Sequence, residues 1–165
     1  MHYRILSVII TICAFVVLPA NAQSYRLYST RDGLCSTQVN HLLEDHYGMI
    51  WMATEDGLSR FDGVKFINYQ HNKDDVRSLS HDYVTSMFED KDGHMIVSTH
   101  AGIQMYCPET DDFSALAKLK DGKTDLPTAS SFLQRKNGEL WILCDKVYKL
   151  TISGQSLVGE PIDLP

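Results

Sequence analysis

The chain has 165 residues, 44% of them hydrophobic, with 15 Lys and Arg against 21 Asp and Glu for a formal charge of −6. That length and apolar content suit one packed domain. An acidic chain without a Lys/Arg cluster cannot neutralise a run of phosphates, so nucleic acid is excluded as an expected partner.

Met1-His2-Tyr3-Arg4 leads into an apolar run from Ile5 to Leu18, which ends at Pro19 and Ala20-Asn21-Ala22. The run is short for the ~30 Å of a bilayer core, and the small residues suit a signal peptidase. Residues 1–22 therefore read as a cleaved export signal. Cys13 sits inside the apolar run, where a lipid-accepting cysteine would be misplaced. Cleavage removes one charged side chain, Arg4, and takes the net charge from −6 to −7. The remaining cysteines, Cys35, Cys107 and Cys144, are odd in number and form no C-x-x-C pair. They read as unbridged, Cys144 as a small core residue and the other two as incidental.

After residue 22 the expected elements are strands. Tyr25 to Tyr28 reads as an outer strand belonging to a closing blade. In the unit 34–78, Val39–Asp45, Met49–Thr54, Leu58–Phe61 and Val64–Tyr69 are short β-rich runs separated by His46-Tyr47-Gly48, Glu55-Asp56-Gly57 and Asp62-Gly63. Glycine supplies the positive φ that such tight turns need. The unit 79–123 repeats the pattern with Val84–Asp90, Met95–Thr99, Ile103–Tyr106 and an outer strand over Phe113–Leu119. The unit 124–165 follows with Ala129–Arg135, Glu139–Cys144, Val147–Leu150 and an outer strand over Leu157–Ile162.

A shift of 45 positions lays Leu34, Val39, Glu44, Asp45, Gly48, Thr54 and Gly57 on Leu79, Val84, Glu89, Asp90, Gly93, Thr99 and Gly102. A second shift lays Gly93 on Gly138, and Trp51 and Ile96 on Trp141; the third copy has lost one residue between its second and third strands. Four strands in such a period match one propeller blade, and the short alternating runs broken by turn residues do not suit a helical repeat. The fold class is therefore all-β, about three four-stranded antiparallel blades over residues 23–165. Ring closure needs at least about four blades, so the ring is expected to be open and the chain to read as part of a longer one.

Asp32-Gly33-Leu34, Glu44-Asp45, Gly48, Ile50-Trp51, Thr54, Asp56-Gly57-Leu58, Arg60-Phe61-Asp62-Gly63 and Phe66 together resemble the two-component regulator propeller repeat. Glu89-Asp90-Lys91-Asp92-Gly93 with Thr99 and Gly102-Ile103 resembles it again. The resemblance covers about residues 25–150. It implies the periplasmic sensory part of a hybrid two-component sensor, anchored in the inner membrane at full length, with an oligosaccharide ligand, further blades and a kinase as partners, and a homodimer as one possible state. It implies control of polysaccharide-utilisation genes. No kinase motif follows Leu150, so this chain is expected not to be an enzyme. The alternatives are an exported lyase-like propeller and a secreted interaction scaffold.

No catalytic, cofactor or metal residue is expected, and the ligand-binding residues are unknown from sequence. Trp51 and Trp141 recur at one place in the repeat and so read as packing between blades. Glu44-Asp45 and Glu89-Asp90 are adjacent pairs whose side chains diverge across a strand, which does not suit paired-carboxylate catalysis. Asp45 and Asp90 instead read as acceptors for the following turn. His41, His46, His71, His81, His94 and His100 show no ligand spacing and read as solvated loop residues. Asp90-Lys91-Asp92-Gly93 lacks the distant Glu of a calcium loop and reads as a hairpin.

Overall fold

The computed structural model describes residues 25–162; the expected export signal at 1–22 lies outside them. Among the described residues, thirteen strands form three sheets. The first sheet holds β1 (Val39–Glu44), β2 (Ile50–Thr54), β3 (Gly57–Phe61) and β4 (Phe66–Tyr69) in sequential antiparallel order. The second repeats it with β5 (Val84–Glu89), β6 (Met95–Thr99), β7 (Gly102–Cys107) and β8 (Asp112–Phe113). The third holds β10 (Ser131–Gln134), β11 (Leu140–Leu143), β12 (Val147–Ser153) and β13 (Ser156–Pro161), with β9 (Lys118–Leu119) added parallel to β13. Strands β1, β5 and β10 lie next to one another, so the sheets stand as successive blades with their first strands innermost.

The 45-residue period holds for individual bonds. Thr54 Oγ1 donates to the Gly57 carbonyl at 2.7 Å and Thr99 Oγ1 to that of Gly102 at 3.2 Å, closing the same hairpin in both blades. Gly57 has φ 129°, and a Cβ there would sit 2.6 Å from the Tyr69 carbonyl oxygen, so no other residue fits. Between blades, Asn40 Nδ2 donates to Val84 O at 2.8 Å, and Thr85 Oγ1 to Ala129 O at 3.3 Å. The His46 amide donates to Glu89 Oε2 at 2.9 Å, and the Lys91 amide to Gln134 Oε1 at 2.9 Å. Every member of the second contact lies 45 positions after its counterpart, so the repeat fixes how neighbouring blades dock as well as how each is built.

Two apolar clusters fill the spaces between blades. Trp51, Ala53, Leu58, Val84, Met87, Met95, Val97, Tyr106 and Phe113 pack between the first and second blades. Ile96, Ile103, Met105, Leu126, Leu140, Ile142, Tyr148 and Leu150 pack between the second and third.

Several expectations are corrected. Residues 25–28 form no strand; Tyr28 packs its ring 4.9 Å from Phe61 and 5.7 Å from Phe66, capping the first blade, and no described strand lies beside it. The outer strand expected over Phe113–Leu119 is broken in two. Ser114 and Ala117 still donate to Met105 and Ile103 of β7, and the chain then crosses to the next sheet as β9. Cys107, not Cys144, is the fully buried cysteine, and all three are free. Trp51 is buried as expected, whereas Trp141 lies half-exposed on the outward face of the third blade beside exposed Leu133 and Leu143.

Candidate functional site

Neighbouring blades leave a cleft at the end where the β1–β2 and β5–β6 turns lie. The first cleft, about 380 Å³, is lined by Trp51, Arg60, Tyr106 and Asp111, with the turn residues His46 and Tyr47 at its lip.

Asp45 builds one wall. Its Oδ1 accepts the amides of Tyr47 and Met49, each at 2.9 Å, and its Oδ2 accepts the Trp51 indole N–H at 2.7 Å. The Asx turn expected from sequence therefore also orients the tryptophan. In the second blade Asp90 does the same for Asp92 and His94, and takes the His94 ring in place of an indole, at 2.9 Å. Glu89 accepts the His46 amide, and its other oxygen meets His46 Nδ1. The ring fits because Gly93 has no side chain; a Cβ there would lie 3.1 Å from it. His46 and His94 are thus paired with carboxylates rather than simply solvated. His71 Nδ1 lies 2.8 Å from the Leu79 carbonyl, and His41 Nδ1 is buried without a partner among the described residues.

The floor is aromatic. Trp51 meets Tyr106 edge-on at 4.9 Å and stacks on Tyr69 at 5.9 Å, with Phe113 5.8 Å from Tyr106. The Arg60 guanidinium lies 5.3 Å from the Trp51 ring and 5.6 Å from each tyrosine ring, within cation–π range. Arg60 Nη1 also donates to the Tyr106 hydroxyl and lies 3.3 Å from Asp111 Oδ1. That oxygen accepts the hydroxyls of Tyr69 at 2.6 Å and Tyr106 at 2.5 Å, so one carboxylate gathers three side chains from both blades. Asp111 does so from a left-handed turn with φ 55°, a conformation aspartate tolerates.

Burial raises the Asp111 carboxyl, but the two tyrosine hydroxyls and the Arg60 charge outweigh it and hold the pKa below the usual range. Tyr69 and Tyr106 are raised, first by burial and then by donating to that carboxylate.

No described cluster of three or more His, Cys, Asp or Glu side chains suits a metal ion. The acidic pairs diverge: Glu89 faces His46 of the first blade, while Asp90 faces its own turn. Arg60, Tyr106 and Asp111, the centre of the cleft, were not singled out from sequence. The available signal was that one repeat position holds Arg60, Met105 and Lys149 in the three blades, so its side chain changes from blade to blade.

Residues 33–56 and 78–101 match the two-component regulator propeller family, one segment in each of the first two blades. Histidine kinase P4 of Formosa agariphila is 32% identical over 71 residues, covering 41% of this chain and 5% of the kinase. The extracellular domain of the hybrid two-component system BT3049 from B. thetaiotaomicron superposes with a TM-score of 0.69 at 22% identity, over 82% of this chain and 20% of that one. Virginiamycin B lyase from Staphylococcus aureus superposes with a TM-score of 0.52 at 16% identity, over 77% of this chain and 42% of the lyase. At such identities the structural likenesses establish the propeller fold and nothing about chemistry. The chain spans less than half the length of each of these relatives, and one segment in each of its first two blades matches the two-component regulator propeller repeat.

Proposed function

From a chain built on two-component regulator propeller repeats, we propose a part in the exported, ligand-sensing propeller of a hybrid two-component system. Its ligand is an oligosaccharide, and its signal passes to a histidine kinase of the same full-length protein that governs polysaccharide-utilisation genes. The observation that carries this reading is the pair of repeat matches at residues 33–56 and 78–101, set in register by the 45-residue period. The similarity to a histidine kinase supports the signalling partner. The apolar N-terminal run ending in Ala20-Asn21-Ala22 supports export to the periplasm and cleavage after Ala22.

The cleft favours binding over catalysis. Asp45 and Glu89 each accept internal donors on both oxygens, and Asp111 on Oδ1 alone, which leaves its Oδ2 as a single acceptor for a ligand rather than one of a pair of acid–base groups. Deletion of the gene, followed by transcript measurement on single purified polysaccharides, tests the proposal. Loss of induction on one polysaccharide, restored by the intact gene, is the expected result. Unchanged induction on every polysaccharide contradicts it.

A further inference from the structure

The two inter-blade clefts are the same place in the repeat, and their linings differ. Strand register puts Ile96 and Met105 of the second blade where the first has Trp51 and Arg60, and Leu150 of the third where the second has Tyr106. Those three aliphatic side chains are all buried and give the second cleft an ordinary apolar core as its floor. Docking of two blades therefore does not require an aromatic floor, a guanidinium or the carboxylate that gathers them. Tyr47 departs further: it is 72% exposed, and the same turn position holds the polar Asp92 and Asn137 in the other blades. Its ring touches that of His46 at 3.7 Å and stands at the mouth of the cleft.

We infer that the cleft between the first and second blades is a saccharide subsite, with the Tyr47 ring as the stacking platform and Arg60, Tyr106 and Asp111 as the polar contacts. This rests on the oligosaccharide reading given above. A pyranose offers an apolar face to an aromatic ring and hydroxyls at its edge. Asp111 accepts its tyrosine hydroxyls on Oδ1, leaving Oδ2 to receive a ligand hydroxyl, and its side chain is 53% exposed. Three carboxylates, Asp45, Glu89 and Asp111, surround one guanidinium and one imidazole. That balance disfavours uronic or sulfated sugars and selects uncharged ones.

Calorimetric titration of the full chain with neutral gluco-, xylo-, manno- and galacto-tetrasaccharides, and with uronic and sulfated ones, tests this. We expect a neutral member to bind, Tyr47→Phe to retain it and Tyr47→Ala to weaken it about ten-fold, with unchanged melting because the ring is exposed. Binding that Tyr47→Ala and Asp111→Asn leave unaltered overturns the subsite while sparing the sensing proposal. Selective binding of the anionic members overturns the charge argument. No binding by any member overturns both the subsite and the reading beneath it.

Discussion

The first and second inter-blade clefts share a backbone and differ in what fills them. In both, an aspartate closes the turn, a glycine makes room for the preceding blade, and an amide crosses to a side-chain oxygen. The first is floored by Trp51, Arg60 and Tyr106, the second by Ile96, Met105 and Leu150. At its rim Glu139 pairs with Lys149 at 2.6 Å, and Glu139 also meets Arg135 at 3.3 Å, so exposed ion pairs stand beside the second cleft. The repeat thus supplies docking, and the positions that escape it are free to carry a ligand site.

The largest expected effect separates the two tryptophans. Trp51→Ala opens a cavity in a closed interface and is expected to cost about 3–5 kcal/mol, whereas Trp141→Ala is expected to cost about 1 kcal/mol or less because its face is half-exposed. Urea denaturation measures both, and equal costs would mean that the two faces are equally packed.

Next comes the wall. Asp45→Ala strands two amides and an indole N–H and is expected to cost about 1–3 kcal/mol. The near-ultraviolet circular dichroism of Trp51 should change with it, and an unaltered spectrum would detach the turn from the floor.

A smaller effect tests whether the aliphatic lining can replace the polar one. Arg60→Met, which copies Met105, is expected to cost about 1 kcal/mol, and Arg60→Met with Asp111→Asn about as much as the single change. Additive costs in the double-mutant cycle would show that the two groups do not act together.

The smallest effect is on acid stability. Glu139, paired with Lys149, is held down to about 2, and Asp111 also lies below its ordinary value. Each contributes stability that is complete above the unfolded carboxylate pKa of about 4 and is lost as pH falls through the folded value. Glu139→Gln and Asp111→Asn should therefore each flatten the fall in melting temperature on acidification below pH about 5. Unchanged slopes would mean that neither pairing survives in solution.

The blades were legible in the sequence because their determinants are local: Thr54 and Gly57 close one hairpin, Thr99 and Gly102 the next, and the glycines cannot be replaced. The candidate site was less legible because its residues lie where the repeat diverges. Arg60 reads as a surface cation until strand register sets it against Trp51, at the repeat position that Met105 fills in the second blade. Asp111 reads as a turn residue until two tyrosines are seen to converge on it. The tryptophans show the limit most clearly. Both stand at one repeat position, yet the aspartate that holds Trp51 is replaced by Arg135 in the third blade. There the guanidinium lies 4.6 Å over the Trp141 ring, and the indole N–H is left without a partner among the described residues.

Hydroxyl-radical footprinting of the full chain, with and without the tetrasaccharide that binds most tightly, compares the two clefts in one sample. Protection of Tyr47, His46 and Pro108 around the first cleft is expected, with no change at His94 and Leu140 around the second. Protection of the second cleft, or of neither, would contradict the assignment of the ligand to the aromatic cleft.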